Sequence, residues 1–433
     1  MNFAAYPKHE SYKGSGIDWI GEVPTSWSVE PGRQCLYESK EKNIGMKEST
    51  VLSLSYGRVI VKDKDKLTGL VPESFETYQV VQPGDIIIRG TDLQNDMTSL
   101  RTGLARDTGI ITSAYINLRP KAEIDPKFLH YLLHSYDVKK IFYALGSGLR
   151  QNLSYEDFKY LRLPIPSPDE QRAIAVFLDG KCATIDEAVR IKEEQIRLLA
   201  ERRQILIQQA VTRGLNPDAP MKDSGIDWIG QIPAHWEVMP FTKYCKSIVD
   251  YRGKTPEKIE EGVLLVTAKN VREGFLDYEV SREYIKPSSY EMVMSRGKPK
   301  RGDILFTTEA PLGKVAIVDD ESVALAQRII KFRLKDQLVS EYVNFYLNSH
   351  CFQDNLATMG TGSTAMGIKA SKLNKLLVIM PPIEEQNAVA QRLEATTAKF
   401  SSGISIKNEQ IAALKEYKTS LINAAVTGKI KVI

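Results

Sequence analysis

The stretch Ser15-Gly16-Ile17-Asp18-Trp19-Ile20-Gly21 decides the architecture of the chain, because it recurs without a change at residues 224–230. Each copy continues at equal spacing to a proline and a second tryptophan: Pro24 and Trp27, Pro233 and Trp236. All four tryptophans of the chain lie in this repeated element. Chance is a poor explanation for seven identical residues at an offset of 209, so the element indicates an internal repeat.

Further landmarks recur in the same order along the chain. Gly84-Asp85-Ile86 recurs as Gly302-Asp303-Ile304, and Glu170-Gln171 recurs as Glu385-Gln386. The offset drifts by a few residues between landmarks, as expected when two copies share their elements and differ in their loops. The sequence therefore predicts a tandem duplication.

Each copy has a mixed part followed by a helical part. Short β-branched runs predict strands in the mixed parts, at residues 51–54, 85–88, 304–307 and 314–318. The helical parts begin after proline-rich stops, where an acidic first turn complements the helix dipole. We predict an α+β fold with four segments: a first mixed domain at 1–165, a helical spacer at 166–215, a second mixed domain at 216–380 and a second helical spacer at 381–433.

A heptad seam runs along both predicted helices in steps of alternating fours and threes. In the first helix the seam comprises Leu178, Cys182, Ile185, Val189, Lys192, Ile196, Leu199, Arg203, Leu206 and Ala210. Adding 215 gives the second: Leu393, Thr397, Phe400, Ile404, Lys407, Ile411, Leu414, Lys418, Leu421 and Ala425. Two seams in one register favour pairing with each other.

The repeat also predicts the direction of the helices. If the copies are equivalent, the second helix returns to the element that holds Trp19 and Trp27, so the helices are antiparallel. At 1.5 Å per residue, about 44 residues make a spacer of about 65 Å. We expect a pseudo-twofold molecule with one mixed domain near each end.

Composition narrows the class of protein. The chain has 433 residues, 42% hydrophobic and 26% charged, with a net charge of +4, which permits polyanion binding without requiring it. It lacks a run of 18 apolar residues and the layout of a secretory signal, so we expect a cytoplasmic protein without membrane association. The scattered cysteines predict buried free thiols rather than disulfides or zinc ligands: Cys35, Cys182, Cys245 and Cys351.

The duplicated S-G-I-D-W-I-G-x-x-P-x-x-W element, the matched seams and the P-P-I-E-E-Q type of helix start resemble the specificity subunit of Type I restriction-modification enzymes. The resemblance covers essentially the whole chain. It implies two tandem α/β target recognition domains separated by two long antiparallel coiled-coil helices. It also implies that each domain reads one half of a bipartite, asymmetric target in double-stranded DNA, and that the helices fix the gap between the halves.

The same resemblance implies partners and cofactors. Two modification (methyltransferase) subunits dock on the helical and adjoining regions, and restriction (motor-nuclease) subunits join them. S-adenosylmethionine and ATP with Mg²⁺ belong to those partner subunits, so this chain is expected to hold no cofactor, no metal and no catalytic residue. A spacer of about 65 Å is commensurate with a duplex in which like groove faces recur about every 34 Å.

Loop residues with guanidinium, ammonium, amide or hydroxyl groups are the candidate DNA contacts, because these groups bind phosphates and base edges. In the first domain they are Arg58, Arg89, Thr91, Gln94, Asn95, Arg101, Arg106, Arg150 and Gln151. In the second they are Arg252, Lys254, Lys269, Asn270, Arg272, Thr307, Thr308, Lys314, Ser363 and Thr364. The alternative for each is a solvated loop position. Since the loops differ between copies, different half-sites are expected.

Candidate contacts with partner subunits come from the tryptophan element and the basic seam positions. They are Trp19, Trp27, Trp228, Trp236, Lys192, Arg203, Lys407 and Lys418. The tryptophans have an alternative role as packing anchors at the coiled-coil ends. The basic residues could instead extend to solvent or set the register of the seam.

Enzyme motifs are not found. Gly253-Lys254-Thr255 resembles the end of a phosphate-binding loop, but Ile248 stands where that motif requires glycine. His130 and His134 are four apart without the glutamate of a metalloprotease helix, which favours histidines on a helix surface. Two alternatives remain: a scaffold whose coiled coil spaces two protein-binding domains, and a catalytic fusion, which the missing motifs disfavour. Salt-sensitive binding to one split DNA sequence would separate the specificity subunit from the scaffold.

Overall fold

The computed structural model describes residues 6–63, 74–96, 98–145, 152–253, 255–360 and 367–432. The chain forms two compact units: Met1–Glu193 with Asn408–Ile433, and Glu194–Lys407. Both long helices, Pro168–Arg213 and Ile383–Val426, contribute residues to each unit. The predicted boundaries at 165, 215 and 380 divide the chain into consecutive segments, whereas the two units each combine parts of both helices. Those boundaries stay a prediction.

The first unit is built on a four-stranded antiparallel sheet. Its strands, in spatial order, are Leu36–Glu38, Ile116–Pro120, Ile86–Ile88 and Thr102–Leu104. Two-stranded pairs surround it: Tyr12–Ile17 with Gly21–Pro24, Ser28–Pro31 with Arg162–Ile165, Leu52–Ser55 with Arg58–Val61, and Gln79–Val81 with Gly109–Ile111. Its helices besides the long ones are Gly32–Cys35, Pro126–Val138, Ile141–Ala144 and Tyr155–Lys159.

The second unit repeats this sheet. Its strands, in the same spatial order, are Cys245–Asp250, Ile329–Leu334, Ile304–Thr308 and Leu312–Ile317. The other pairings are Met221–Asp223 with Gln231–Pro233, Glu237–Pro240 with Leu377–Met380, and Val263–Val266 with both Tyr284–Ile285 and Ala324–Leu325. The shorter helices are Phe241–Tyr244, Pro287–Ser289, Tyr290–Val293, Ser340–Leu347, His350–Met359 and Ala370–Lys375.

The shared strand order confirms the predicted tandem α+β arrangement. It also explains the Gly-Asp-Ile landmark. Asp85 accepts two hydrogen bonds from Arg119, at 2.7 and 2.8 Å, on the neighbouring strand. Asp303 accepts two from Arg333, both at 2.8 Å, in the second unit. Both carboxylates are almost fully buried, and a buried charge is tolerated where a partner and hydrogen bonds compensate it.

The heptad seam is confirmed, since every one of its positions is buried or half-buried in the structure. The helices also pair in opposite directions within the first unit. Asp186 bonds Lys418 at 2.7 Å, whereas Lys192, farther along the first helix, bonds Gln410 at 2.7 Å, earlier along the second. Residue numbers therefore rise on one helix as they fall on the other, which is the predicted antiparallel pairing.

The end of each long helix docks on a buried tryptophan. In the first unit Gly428, just after the second helix, lies against Pro24 and Trp27. In the second unit Gly214, just after the first helix, lies against Trp236, and an added Cβ would be 3.0 Å from the indole ring. Each helix thus ends on the tryptophan element of the opposite sequence copy, as the repeat predicted.

The cysteines and the long helices agree with the sequence-based expectations. All four cysteines are free; three are buried and Cys245 is half-buried. In the described ranges, no helix is both long and apolar enough to cross a bilayer.

Candidate nucleic-acid interface

The same end of the main sheet carries the polar loops in both units. In the first unit, residues 89–101 connect strand Ile86–Ile88 to strand Thr102–Leu104. In the second unit, residues 309–311 connect the equivalent strands, Ile304–Thr308 and Leu312–Ile317. We call residues 89–96 and 98–101 the first loop. Loops placed by a rigid sheet are the usual position for residues that contact ligands.

The outer face of the first loop presents three predicted DNA contacts. Thr91, Gln94 and Asn95 are exposed, and the Asn95 amide donates to the Asp92 carboxylate at 2.8 Å. Arg89 is half-buried and its guanidinium lies 3.2 Å from Asp96. The structure therefore brings the predicted amides and one cation together on a single loop.

A β-hairpin adds to this surface. Strands Leu52–Ser55 and Arg58–Val61 are joined by a two-residue turn at Tyr56 and Gly57, both with positive φ. The tip lies on the first loop, because a Cβ added to Gly57 would be 2.9 Å from Leu100. The predicted contact Arg58 is exposed there, beside the 96% exposed Tyr56, which the sequence analysis missed.

Two other arginines of the first unit are placed differently. Arg101 is fully buried, and its guanidinium bonds the carbonyls of the first loop. This burial corrects the prediction that Arg101 lies on a DNA-contacting surface. Arg106 is exposed, but it follows the far end of strand Thr102–Leu104, where Ala105 bonds the backbone of Asp85. The structure does not bring Arg106 to the first loop.

The second unit gathers a cluster at its equivalent sheet end, which we call the second cluster: Arg252, Thr255, Glu309, Gln327 and Arg328. Arg252 bonds Asp250 through Nε at 2.9 and 3.0 Å and donates through Nη1 to the Ile368 carbonyl at 3.1 Å. The Gln327 amide donates to the Thr255 hydroxyl at 2.6 Å, and Arg328 Nε lies 3.2 Å from Glu309. Of these five residues, Arg252 is a DNA contact predicted from the sequence.

Positive φ marks both sites. In the second cluster Gln327 and Arg328 have φ values of 48° and 61°, and neighbouring Ala310 has 42°. At the equivalent end of the first unit, Tyr56 and Asp92 have 47° and 58°. Non-glycine residues adopt this region at a cost of about 1–3 kcal/mol each and concentrate at functional sites. Residue type and spacing do not indicate such backbone positions.

Three further predictions are corrected by burial. Asn270, Thr307 and Thr308 are at most 1% exposed, and their polar groups bond within the chain. The Asn270 amide donates to the carbonyls of Asp277 and Ser281, and Thr307 Oγ1 donates to the Pro311 carbonyl. The three side chains shape loops instead of facing solvent, because short polar side chains readily replace missing backbone partners.

The remaining candidates of the second unit are scattered. Lys269 and Arg272 are exposed after strand Val263–Val266, near Glu283 at 3.7 Å and Asp277 at 3.6 Å. Lys314 is half-buried and paired with Glu273. Five candidates lie outside the described residues: Arg150, Gln151, Lys254, Ser363 and Thr364.

Comparison with known proteins shows which family has this architecture. The profile of the family described as "Type I restriction modification DNA specificity domain" matches residues 102–197 and 294–416, half of the chain. The chain belongs to this family. It is a specificity subunit, the non-catalytic DNA-recognition component of a Type I restriction-modification system.

Relatives of this specificity subunit match over most of their length. The type I restriction enzyme MjaVIII specificity subunit of Methanocaldococcus jannaschii is 27% identical, over 75% of each chain. The EcoKI specificity subunit of Escherichia coli K12 is 22% identical, over 95% of this chain and 90% of that one. A solved structure from work on complex assembly and conformational transition of the type I R-M system has the same fold, with a TM-score of 0.69, 17% identity and coverage of 94% and 99%.

The tryptophans of the specificity subunit act first as packing anchors. Trp27 and Trp236 are at most 1% exposed, and the Trp236 indole donates to Glu385 at 3.0 Å. Trp19 and Trp228 are half-buried, with Trp19 packed edge-on against Tyr136. This burial corrects the prediction that Trp27 and Trp236 present a surface to a partner subunit, and favours the packing role.

The basic seam residues divide into two groups. Lys192 and Lys418 bond Gln410 and Asp186 across the helix pair, as described above, so both side chains contribute to the pairing. Arg203 and Lys407 are half-buried. Contact of these four with a partner subunit stays a prediction.

The two histidines lie half-buried on helix Pro126–Val138, so they are less exposed than the sequence pattern suggested. Burial lowers the pKa of His130 to about 3, with further contributions from His134 and Arg106. Burial also lowers the pKa of His134 to about 4, and Lys418 of the second long helix acts in the same direction. These lowered pKa values favour the neutral form of both imidazole rings at physiological pH. Within the described ranges, no group of three His, Cys, Asp or Glu residues is arranged to hold a metal.

Proposed function

We propose that each unit of this specificity subunit reads one half of a bipartite, asymmetric DNA target. The observation that carries the proposal is the shared sheet with different loops at its equivalent end. The first unit presents Gln94 and Asn95 there, and the second presents Gln327 and Arg328. Since amides pair best with adenine edges and guanidinium with guanine edges, such loops are suited to different sequences.

The distribution of charge supports recognition of DNA bases by a few side chains whose positions are fixed by neighbouring residues. Net charge is only +4, and Arg328 lies against Glu309 while Arg89 lies against Asp96. An acidic neighbour of this kind holds an arginine in place and raises the cost of binding a wrong partner. Phosphate contacts position the protein, and these arginines and amides then contribute the discrimination.

The proposal extends to an assembly in the cytoplasm. Two modification subunits dock on the helical regions and supply S-adenosylmethionine and adenine methylation. Restriction subunits supply ATP- and Mg²⁺-dependent cleavage. The similarity to type I R-M proteins supports this assignment of partners and cofactors.

The experiment maps methylated adenines in cells that produce the chain together with a modification subunit. A single split motif is expected for the unchanged protein. The double change Gln94→Ala with Asn95→Ala should relax one half of that motif, and Arg328→Ala the other half. A bidentate contact discriminates by about 1–3 kcal/mol, so methylation of mismatched sites should rise about tenfold.

Lys121→Ala is the matched control, because Lys121 is exposed in the first unit but follows the far end of the sheet. It should leave both halves unchanged. A contiguous motif, or both halves relaxing together in either variant, contradicts the proposal. Absence of salt-sensitive DNA binding by the assembled complex would instead favour a scaffold.

A further inference from the structure

We propose that Arg101 is a positioning residue that sets the shape of the first loop from inside, without touching DNA. The inference rests on the proposed function of that loop. It departs from the sequence interpretation, in which Arg101 was itself a DNA contact. Arg101 is 0% exposed, so its effect on recognition has to pass through the residues around it.

The guanidinium of Arg101 uses all of its donors on the loop and one neighbour. Nη1 donates to the carbonyls of Arg89 at 3.2 Å and Thr91 at 2.9 Å. Nη2 donates to those of Asp92 at 3.3 Å and Asp96. Nε donates to the Tyr143 hydroxyl at 3.0 Å. Four of the five N–H donors of the planar fork thus fix four carbonyls of one loop.

Contacts with residues outside the first loop hold Arg101 in place. Its backbone N–H donates to Asp137 Oδ2 at 2.6 Å, and Asp137 is 1% exposed. The guanidinium carbon lies 5.2 Å from the centre of the Tyr143 ring, whose hydroxyl donates to the Asp96 carbonyl at 3.1 Å. Helix Pro126–Val138 and the segment after it therefore anchor the cation. The loop is fixed relative to the sheet rather than only to itself.

The geometry links this anchor to the exposed side chains. The bonded carbonyls belong to residues 89, 91, 92 and 96, which flank Gln94 and Asn95 on both sides. Asp92 N–H donates to Asn152 at 2.9 Å, which adds a second attachment. With the carbonyls directed inward, Thr91, Gln94 and Asn95 lie on the outer face. A recognition contact must be held to within about 0.5 Å, and this network supplies that constraint.

The second unit shows that the fold itself does not need such a cation. There the equivalent strands are joined by a shorter connection, and Lys314 N–H donates to the Thr307 hydroxyl at 2.9 Å, which closes the hairpin. Among the residues that the structure describes at this end, the same sheet thus forms without a buried guanidinium. Arg101 accompanies the longer loop, not the sheet.

The test replaces Arg101 with lysine, which keeps the charge but has a compact ammonium with three donors instead of the fork. The Arg101→Lys chain is assembled with a modification subunit, and methylated adenines are mapped. Methylation of sites mismatched in the half read by the first unit should rise about tenfold, with the other half unchanged. Backbone amides of residues 92–96 should exchange hydrogen faster in the same complex.

Arg119→Lys is the matched control, because Arg119 makes a two-bond contact with buried Asp85 at the opposite end of the same sheet. It should lower the unfolding temperature and leave both halves of the motif intact. If Arg101→Lys behaves like Arg119→Lys, with lost stability and an unchanged motif, Arg101 is purely structural and the inference is wrong. The unchanged protein tests the proposed function separately. If it methylates a single split motif, the proposed function stands even where the inference about Arg101 fails.

A milder change covers the case in which Arg101→Lys does not fold. Tyr143→Phe removes only the hydroxyl that joins Arg101 to the Asp96 carbonyl. It should relax the same half of the motif by a smaller factor. An unchanged motif together with faster exchange at residues 92–96 would show that loop order does not govern recognition, and would overturn the inference.

Discussion

Gln171 and Gln386 make the same three hydrogen bonds at the start of the two long helices. The Gln171 amide oxygen accepts from Asp125 N–H at 2.8 Å, and its nitrogen donates to the carbonyls of Pro166 and Glu123. Gln386 accepts from Val339 N–H at 2.9 Å and donates to the carbonyls of Pro381 and Gln337. Each side chain is at most 1% exposed and joins a helix start to its own mixed domain.

Alanine at either glutamine should destabilise the unit that contains it. A buried donor or acceptor left without a partner costs about 1–3 kcal/mol, and Gln171→Ala leaves the carbonyl of buried Pro166 in that state. Urea unfolding followed by circular dichroism measures the loss. Gln208→Ala, at an exposed position of the first helix, is the control and should change stability by less than about 0.5 kcal/mol. Equal effects of Gln171→Ala and Gln208→Ala would show that the anchor is unimportant.

Alanine at the two docking glycines should also destabilise the chain. Gly214 and Gly428 have φ values of 74° and 71°, and an added Cβ meets Trp236 in one case and Pro24 in the other. The left-handed backbone alone costs about 1–2 kcal/mol for an alanine. Gly180→Ala provides a control of opposite sign, because Gly180 lies in helical backbone with open space around it. That change should stabilise by about 0.5–1 kcal/mol. Thermal unfolding distinguishes the two directions, and a stabilising Gly428→Ala would contradict the docking geometry.

Acid should weaken the first unit through its two histidines. Their pKa values in the fold, about 3 for His130 and about 4 for His134, lie below the ordinary value of 6.5. The unfolded chain therefore binds more protons between these values, and stability rises with pH there. The full contribution is present above about pH 6.5 and is lost progressively toward pH 4, with a slope of at most about 1.4 kcal/mol per pH unit for each histidine.

Urea midpoints measured from pH 4 to 8 check this dependence. His134→Gln should flatten the profile, because one of the two groups that take up protons on unfolding is removed. Gln208→Ala, at an exposed position without a titratable side chain, should leave the profile unchanged. A profile equally steep with and without His134 would refute the lowered pKa of His134 in the fold.

The Lys418–Asp186 pair should matter more for register than for stability. Lys418 Nζ lies 2.7 Å from both carboxylate oxygens, but the Asp186 side chain is 47% exposed. Exposed pairs contribute about 0–1 kcal/mol, so Lys418→Met should change the free energy of unfolding by less than that. Lys418→Glu should cost more because it places two carboxylates together, and Asp186→Lys should restore most of the loss. A double-mutant cycle without coupling would indicate that the two side chains do not interact in solution.

Sequence predicted the parts of this protein that follow regular spacing. The seam positions from Leu178 to Ala210 needed only the heptad period, and the return of the second helix to Trp27 needed only the repeat. Strand predictions were close, with residues 51–54 found as Leu52–Ser55 and residues 314–318 as Leu312–Ile317. Such patterns reflect which face of a single helix or strand is buried, and this information is present in the spacing of residues along the sequence.

The loops were predicted less well because their side chains are used in ways that residue type does not reveal. Arg101 and Asn270 have the chemistry of DNA contacts, but here the same donors satisfy loop carbonyls. Arg328 and Tyr56 became candidates only once their positive φ and their position at the sheet end were known. Whether a polar loop residue faces inward or outward depends on packing between distant segments, such as Gly57 against Leu100.

Each long helix ends on the tryptophan element of the other sequence copy. A single copy of the repeat therefore contains both parts of this contact, a helix end and a tryptophan element. A polypeptide of half this length, with one mixed domain and one long helix, would have a helix end and a tryptophan element that are complementary to each other. Two such identical polypeptides could satisfy both contacts reciprocally and would then present two identical loops. Fusion of the two copies into a single chain frees their loops to diverge, which under the proposed function allows an asymmetric target where a homodimer would be confined to a palindrome.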